Sequence, residues 1–165
     1  MNIRKATPAD LVRQMAIYAR ARDFMAKTGN PNQWGPNNWP PEELIRADIG
    51  NGDSYVCVGD DNRVIGTFFF TQGEDIEPTY REIDGAWQQG GSYGVVHRIA
   101  SDGSEKGVGA FCLNWAFSQC GHLRIDTHAD NAVMQGLLAK LGFQRCGIIY
   151  VHEDRDPRFA YEKIG

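Results

Sequence analysis

The chain has 165 residues, enough for one compact domain with a buried core. Its make-up, 42% hydrophobic and 23% charged with a formal net charge of −4, is ordinary for a globular protein and contains no basic run of the kind that holds nucleic acid. No apolar run approaches the ~20 residues of a membrane span, so neither nucleic acid nor membrane is expected as a partner.

Residues 2–6 alternate and predict a short first strand. Thr7 and Pro8 then read as the N-cap and first position of a helix whose apolar face carries Leu11, Met15, Tyr18 and Arg22. The pattern breaks at Gly29-Asn30-Pro31. Residues 29–41, rich in Gly, Asn and Pro, predict a loop in which Trp34 and Trp39 are embedded. A second short helix is expected over 41–49, and a hairpin over 54–59 and 63–71 with its turn at Asp60-Asp61-Asn62. The stretch 73–91 is polar and irregular, with room for a short helix.

A strand over 93–100 leads through a loop, 101–106, into a helix with Val108, Phe111, Cys112, Trp115 and Ala116 on one face. A strand over 123–128, a helix over 130–141 closed by Gly142, and strands over 144–151 and 159–164 complete the order, with a charged loop at 152–158 between the last two. Neither an internal repeat nor a domain boundary is visible, so residues 1–165 read as one mixed α/β domain. The four cysteines, Cys57, Cys112, Cys120 and Cys146, show no C-x-x-C pairing. With no recognisable secretory leader, they read as reduced thiols of a cytoplasmic protein.

The stretch Ser104-Glu105-Lys106-Gly107-Val108-Gly109-Ala110 joins a strand to a helix. Two glycines at a helix start let a ligand approach the backbone, and the free N–H groups there suit phosphate. The motifs of P-loop enzymes (G-x-x-x-x-G-K-[ST]) and of dinucleotide folds (G-x-G-x-x-G) are both absent. Asp126, His128 and Asp130 alternate as metal ligands would, but the helix start at Asp130-Asn131 argues for capping, and no metal is expected.

His97-Arg98-Ile99-Ala100 followed by Gly107-Val108-Gly109, then Asp126 to Asn131, then Leu137-Leu138-Ala139-Lys140-Leu141-Gly142-Phe143, resembles the GNAT superfamily of N-acetyltransferases over residues 93–150. The resemblance implies a GNAT-like acyl-CoA N-acyltransferase fold: a mixed sheet of six to seven strands, splayed in the middle, with helices on both faces. It implies acetyl-CoA as co-substrate. The pantetheine arm would lie along Ile99 and Ala100, the pyrophosphate on the amides of Lys106, Gly107, Val108, Gly109 and Ala110, and Asn131 would bond the pantetheine chain. Trp34 and Trp39 fall where the family builds its acceptor pocket.

The reaction implied is direct transfer of acetyl to a primary amine, small molecule or peptide, in a ternary complex. His97 and, second, Asp126 match positions of catalytic bases in the family. Two departures stand out. Ser104 replaces the Arg or Gln that usually opens the glycine motif, and Leu138 replaces a tyrosine that protonates the departing thiolate. Tyr150 and Tyr161 are the candidates to supply that acid in its place, a core-edge position in their strands being the other reading of both. A catalytically weak CoA sensor is the alternative that Leu138 leaves open, and a homodimer is compatible with either.

Overall fold

The computed structural model describes residues 1–150 and 156–165; most of the charged loop expected at 152–158 lies outside the described residues. The elements are β1 (Asn2–Lys5), α1 (Leu11–Lys27), α2 (Glu42–Asn51), β2 (Ser54–Val58), β3 (Val64–Glu74), β4 (Asp84–Gly85), β5 (Ser92–Ser101), α3 (Val108–Cys120), β6 (His122–His128), α4 (Ala132–Lys140), β7 (Gln144–Tyr150) and β8 (Pro157–Ile164). The strands form one sheet in the order β1-β2-β3-β5-β6-β8-β7-β4, antiparallel throughout except for β5 against β6.

The sheet has eight strands where six to seven were expected. The difference is β4, two residues long, which pairs with Gly147 and Ile148 of β7. It sits in the segment that read as irregular, and a two-residue strand is too short to show alternation.

Alternation along β2 and β3 sends side chains to two cores. Val56, Val58 and Val64 pack under Leu11, Ile17, Tyr18 and Ala21 of α1 and Ile45 of α2. Cys57, Ile65 and Phe68 pack on the opposite face under Val108, Cys112, Leu113 and Ala116 of α3 and Leu138 of α4. Helices therefore cover both faces, as expected. The buried stripe of α1 is rotated from the expected one: Gln14 and Ile17 are buried, and Met15 and Arg22 lie at its margin. Gln14 can be interior because its Nε2 donates to Ser54 Oγ (2.8 Å) and Thr67 Oγ1 (2.9 Å). No helix among the described residues is long and apolar enough to cross a membrane.

A buried polar knot fastens the start of β5. Glu162 of β8, with a fully buried side chain, accepts from Arg124 Nε (3.0 Å) and the Gln88 N–H (2.7 Å), and its Oε2 lies 2.6 Å from His122 Nε2. Burial works to raise this carboxyl, but the donors outweigh it and hold it below its ordinary range. The Arg124 guanidinium is 4.2 Å from the ring centroids of both Trp87 and Tyr93 and donates to the Gln89 carbonyl. The segment entering β5 is thus tied to β6 and β8. Glu162→Ala strands these donors in a dry site and is expected to cost about 3 kcal/mol in urea unfolding. A loss below about 1 kcal/mol, the scale of an exposed pair, would show that the knot does not hold this end of the sheet.

Candidate active site

β5 and β6 pair over only two positions, Gly94↔Leu123 and Val95↔Arg124. Beyond them the strands run on without pairing to each other, β5 to Ser101 and β6 to His128. A bulge lies just beyond the parting: Thr67 pairs with Ala100 and Phe69 with His97, so Arg98 and Ile99 together oppose Phe68. Arg98 has φ 51°, a left-handed conformation uncommon for a side-chain-bearing residue. Three contacts hold it there. The Tyr18 hydroxyl donates to its carbonyl (2.9 Å), its guanidinium pairs with Asp48 (2.8 Å), and the same group stacks 4.6 Å from the Phe69 ring centroid.

His97, one residue before the bulge, faces a group of acids. Its Nε2 lies 2.8 Å from Glu77 Oε2 and its Nδ1 lies 3.9 Å from Asp126 Oδ2. Glu77 comes from the loop after β3, where its Oε1 also accepts from the Thr79 N–H (3.3 Å) and hydroxyl (2.8 Å). Burial alone would raise the Glu77 carboxyl. The hydrogen bond and charge of His97, with the Thr79 donors, outweigh it and bring it down to about 2. Asp126 has the opposite balance: burial pushes its carboxyl up, against the pull of His97 and of Tyr80, whose hydroxyl donates to Oδ2 at 2.7 Å. An ionised Glu77 only accepts, so Nε2 of a neutral His97 carries the hydrogen and Nδ1 presents a lone pair.

Two cavities meet at this gap. One, of about 210 Å³, is lined by Trp34, Trp39, Glu77, His97 and Asp126. The other, of about 390 Å³, is lined by Arg20, Ile99, Ala100, Gly103 and Gly109. Met25, Ile99, Asn131 and Met134 border both. The structure thus gathers the expected base candidates with both tryptophans, and separately gathers Ile99 and Ala100 with Gly109. Lys106, Gly107, Val108 and Ala110 line neither cavity; they frame the start of α3 beside Gly109, with the Val108 side chain buried in the core.

Asn131 borders both cavities, but its side chain is largely committed. Its Oδ1 caps α4 at Met134 N–H (3.0 Å) and its Nδ2 donates to Gln33 Oε1 (2.9 Å). The helix accordingly starts at Ala132, two residues later than expected. Leu138 is buried in the core, Tyr161 is largely buried and Tyr150 is exposed; none lines a cavity. Asp126, His128 and Asp130 do not converge as a group: Asp126 turns to Tyr80, while His128 has Nε2 3.0 Å from Asp156 and Nδ1 3.6 Å from Asp130 Oδ2. Glu77, Tyr80 and Arg98 were missed in the sequence. Glu77 precedes Pro78 and Thr79, a recognisable cap, but nothing local points it at His97.

No family model and no curated protein matches the chain by sequence. Solved structures do. A GNAT-family acetyltransferase from Streptococcus agalactiae superposes with a TM-score of 0.89 at 31% identity, covering 99% of this chain and 95% of that one. Ribosomal-protein-alanine N-acetyltransferase from Brucella melitensis gives 0.67 at 18% identity with both chains covered in full. Arabidopsis thaliana NAA60 in complex with a bisubstrate analogue gives 0.66 at 14%, covering 98% and 95%. At the two lower identities the likeness is one of fold. The chain belongs to the GNAT family of acetyltransferases, and acetyl transfer is the chemistry of its class.

The state of Glu77 gives a stability test. Its folded value, about 2, lies below the ordinary 4.5, so its ionised form favours the folded state. That contribution is complete above about pH 4.5 and is lost as pH falls toward 2. Melting curves of wild type and Glu77→Gln between about pH 6 and pH 2 are expected to differ most at the upper end and to converge at the lower. A gap that stays constant through this window would mean that Glu77 is not the ionised partner of His97.

Proposed function

We propose that the chain transfers the acetyl group of acetyl-CoA to a primary amine by direct attack within a ternary complex. The observation that carries this reading is the His97–Glu77 pair, placed beside the open edge of β5 where two cavities meet. The donor substrate brings an activated acyl group as a thioester, and the residues present fit it. Past the bulge, the edge of β5 at Ile99 and Ala100 has no strand partner on its β6 side and offers peptide groups to the amides of a pantetheine arm. Gly107, at φ +82°, turns the chain into α3, where the N–H groups of Val108, Gly109 and Ala110 have no acceptor within the helix. A Cβ on Gly109 would stand 3.2 Å from Leu137 Cδ2 and narrow the passage between α3 and α4.

The smaller cavity is the acceptor's place in this reading. Trp34 and Trp39 give it apolar walls, and Glu77 and Asp126 favour the approach of a cationic amine. His97 Nδ1 takes the amine proton, and the resulting imidazolium lies between two carboxyl groups. Asp126 shapes that field; Tyr80 already occupies its Oδ2. With Leu138 in the core and no tyrosine among the lining residues, solvent protonates the departing thiolate. None of the four cysteines lines either cavity, which supports a route without a covalent acyl-enzyme. Small amines, amino acids and protein N-termini all meet these requirements. The free thiols suit a cytoplasmic setting, and the one continuous sheet suits a single catalytic domain over residues 1–165. The sensor alternative rests on Leu138 alone, and the His97–Glu77 pair favours catalysis over it.

A pH–rate profile of wild type, His97→Ala and Asp126→Asn with one good acceptor tests the assignment. Loss of a positioned base is expected to lower the rate by roughly 10²-fold near neutral pH. The deficit should shrink toward the pKa of the amine, because the acceptor then arrives neutral. Near-normal turnover by the histidine variant beside collapse of the aspartate variant would transfer the role to Asp126.

A further inference from the structure

The glycine loop lacks the side chain with which its motif usually opens, and the structure shows what Ser104 does instead. Its N–H and hydroxyl both bond Asp102 Oδ1, at 2.9 and 2.6 Å. The other oxygen of Asp102 accepts from Arg13. Ser104, though exposed, is therefore engaged with Asp102, and that acid is itself paired with Arg13.

A cation reaches this corner from another element. Arg13 and Arg20 stand seven residues apart on α1, so they share one face, and both approach the segment that follows β5. Arg13 is committed to Asp102 and to the Val64 carbonyl (2.9 Å). Arg20 is exposed, and among the described residues it has neither an ion-pair nor a hydrogen-bond partner. Its guanidinium lies against Gly103, so close that a Cβ there would come within 2.6 Å of its Cζ. Gly103, at φ +73°, has the left-handed backbone that favours glycine, and its missing side chain leaves room for the arginine. Arg20 also lines the larger cavity together with Gly103, Gly109 and the free edge at Ile99 and Ala100.

We propose that Arg20 is the side-chain ligand of the donor's pyrophosphate, supplied by α1 in place of the residue missing at position 104. The proposal rests on the acetyl-CoA reading above. An unpaired guanidinium that shares a cavity with Gly109, in the first turn of α3, can meet an anion there together with the free N–H groups of that turn, and its planar fork suits two phosphate oxygens at once. The pyrophosphate, rather than the terminal 3′-phosphate, is the group that touches this loop while the pantetheine arm follows the edge of β5.

Calorimetric titration of wild type, Arg20→Ala and Arg20→Gln with CoA and with 3′-dephospho-CoA tests it. Both variants are expected to bind both ligands about tenfold or more weakly, and their affinities should depend less on salt than that of wild type. Their melting temperatures without ligand should match wild type, since Arg20 has no partner to lose. Unchanged affinity in folded variants overturns the proposal. A loss confined to CoA also overturns it, by moving Arg20 to the 3′-phosphate. If wild type itself fails to bind CoA, the donor reading falls, and this proposal falls with it.

Discussion

The bulge at Arg98 is the constraint on which the site depends. A residue with a side chain costs roughly 1–2 kcal/mol in the left-handed region, so the conformation persists only if its surroundings enforce it. Both helices of one face contribute. α1 sends the Tyr18 hydroxyl to the Arg98 carbonyl, and α2 sends Asp48 to its guanidinium. Asp48 is nearly buried, and burial pushes its carboxyl up against the pull of Arg98. Such a pair adds little net stability. Its effect is geometric: it fixes where β5 leaves its register with β3, on the stretch past Val95 where β5 no longer pairs with β6. His97 immediately precedes that point and Ile99 follows it, so one backbone feature sets the spacing between the proposed base and the proposed donor groove.

That division explains what the sequence disclosed. Features made of backbone leave local marks. Gly107 and Gly109 announce the turn into α3, and Asn131 announces the start of α4, although as a cap already engaged with Gln33. The strand and helix order was legible for the same reason, because alternation and helical spacing are local. Features made by convergence leave no such mark. Glu77, Tyr80 and Asp126 reach His97 from two segments far apart in the chain, and their meeting depends on β3, β5 and β6 lying side by side. The stripe of α1 was misplaced for a related reason: Gln14 is polar, and only the hydroxyls of Ser54 and Thr67 make it an interior residue. β4 escaped notice because two residues cannot show a period.

The two carboxyl groups around His97 show how environment separates like residues. Glu77 receives donors from His97 and from both groups of Thr79, and stays ionised against its own desolvation. Asp126, with one oxygen on Tyr80 and little solvent, is driven the other way. Glu77 thus fixes the ring through Nε2, while Asp126 stands near Nδ1 without a hydrogen bond to it. On the proposed reading this asymmetry is useful. A base bonded at both nitrogens would have no lone pair to offer, and one bonded at neither would lack orientation.

The loop between α1 and α2 links the two cavities. Gln33 accepts from Asn30 Nδ2 (2.8 Å) and from Asn131 Nδ2, and Asn131 in turn caps α4. Trp34, next to Gln33, packs edge-on against Tyr18 at 5.8 Å between centroids, and Tyr18 is the residue that holds the bulge. The loop that carries the aromatic walls is therefore anchored at both margins of the gap, to β5 through Tyr18 and to α4 through Asn131. A cap of this kind contributes about 1 kcal/mol, small beside a core residue. Because Asn131 borders both cavities, its displacement would alter the wall of each at once. The walls of the two cavities are thus joined through one set of contacts, too distant in sequence to be seen before the fold.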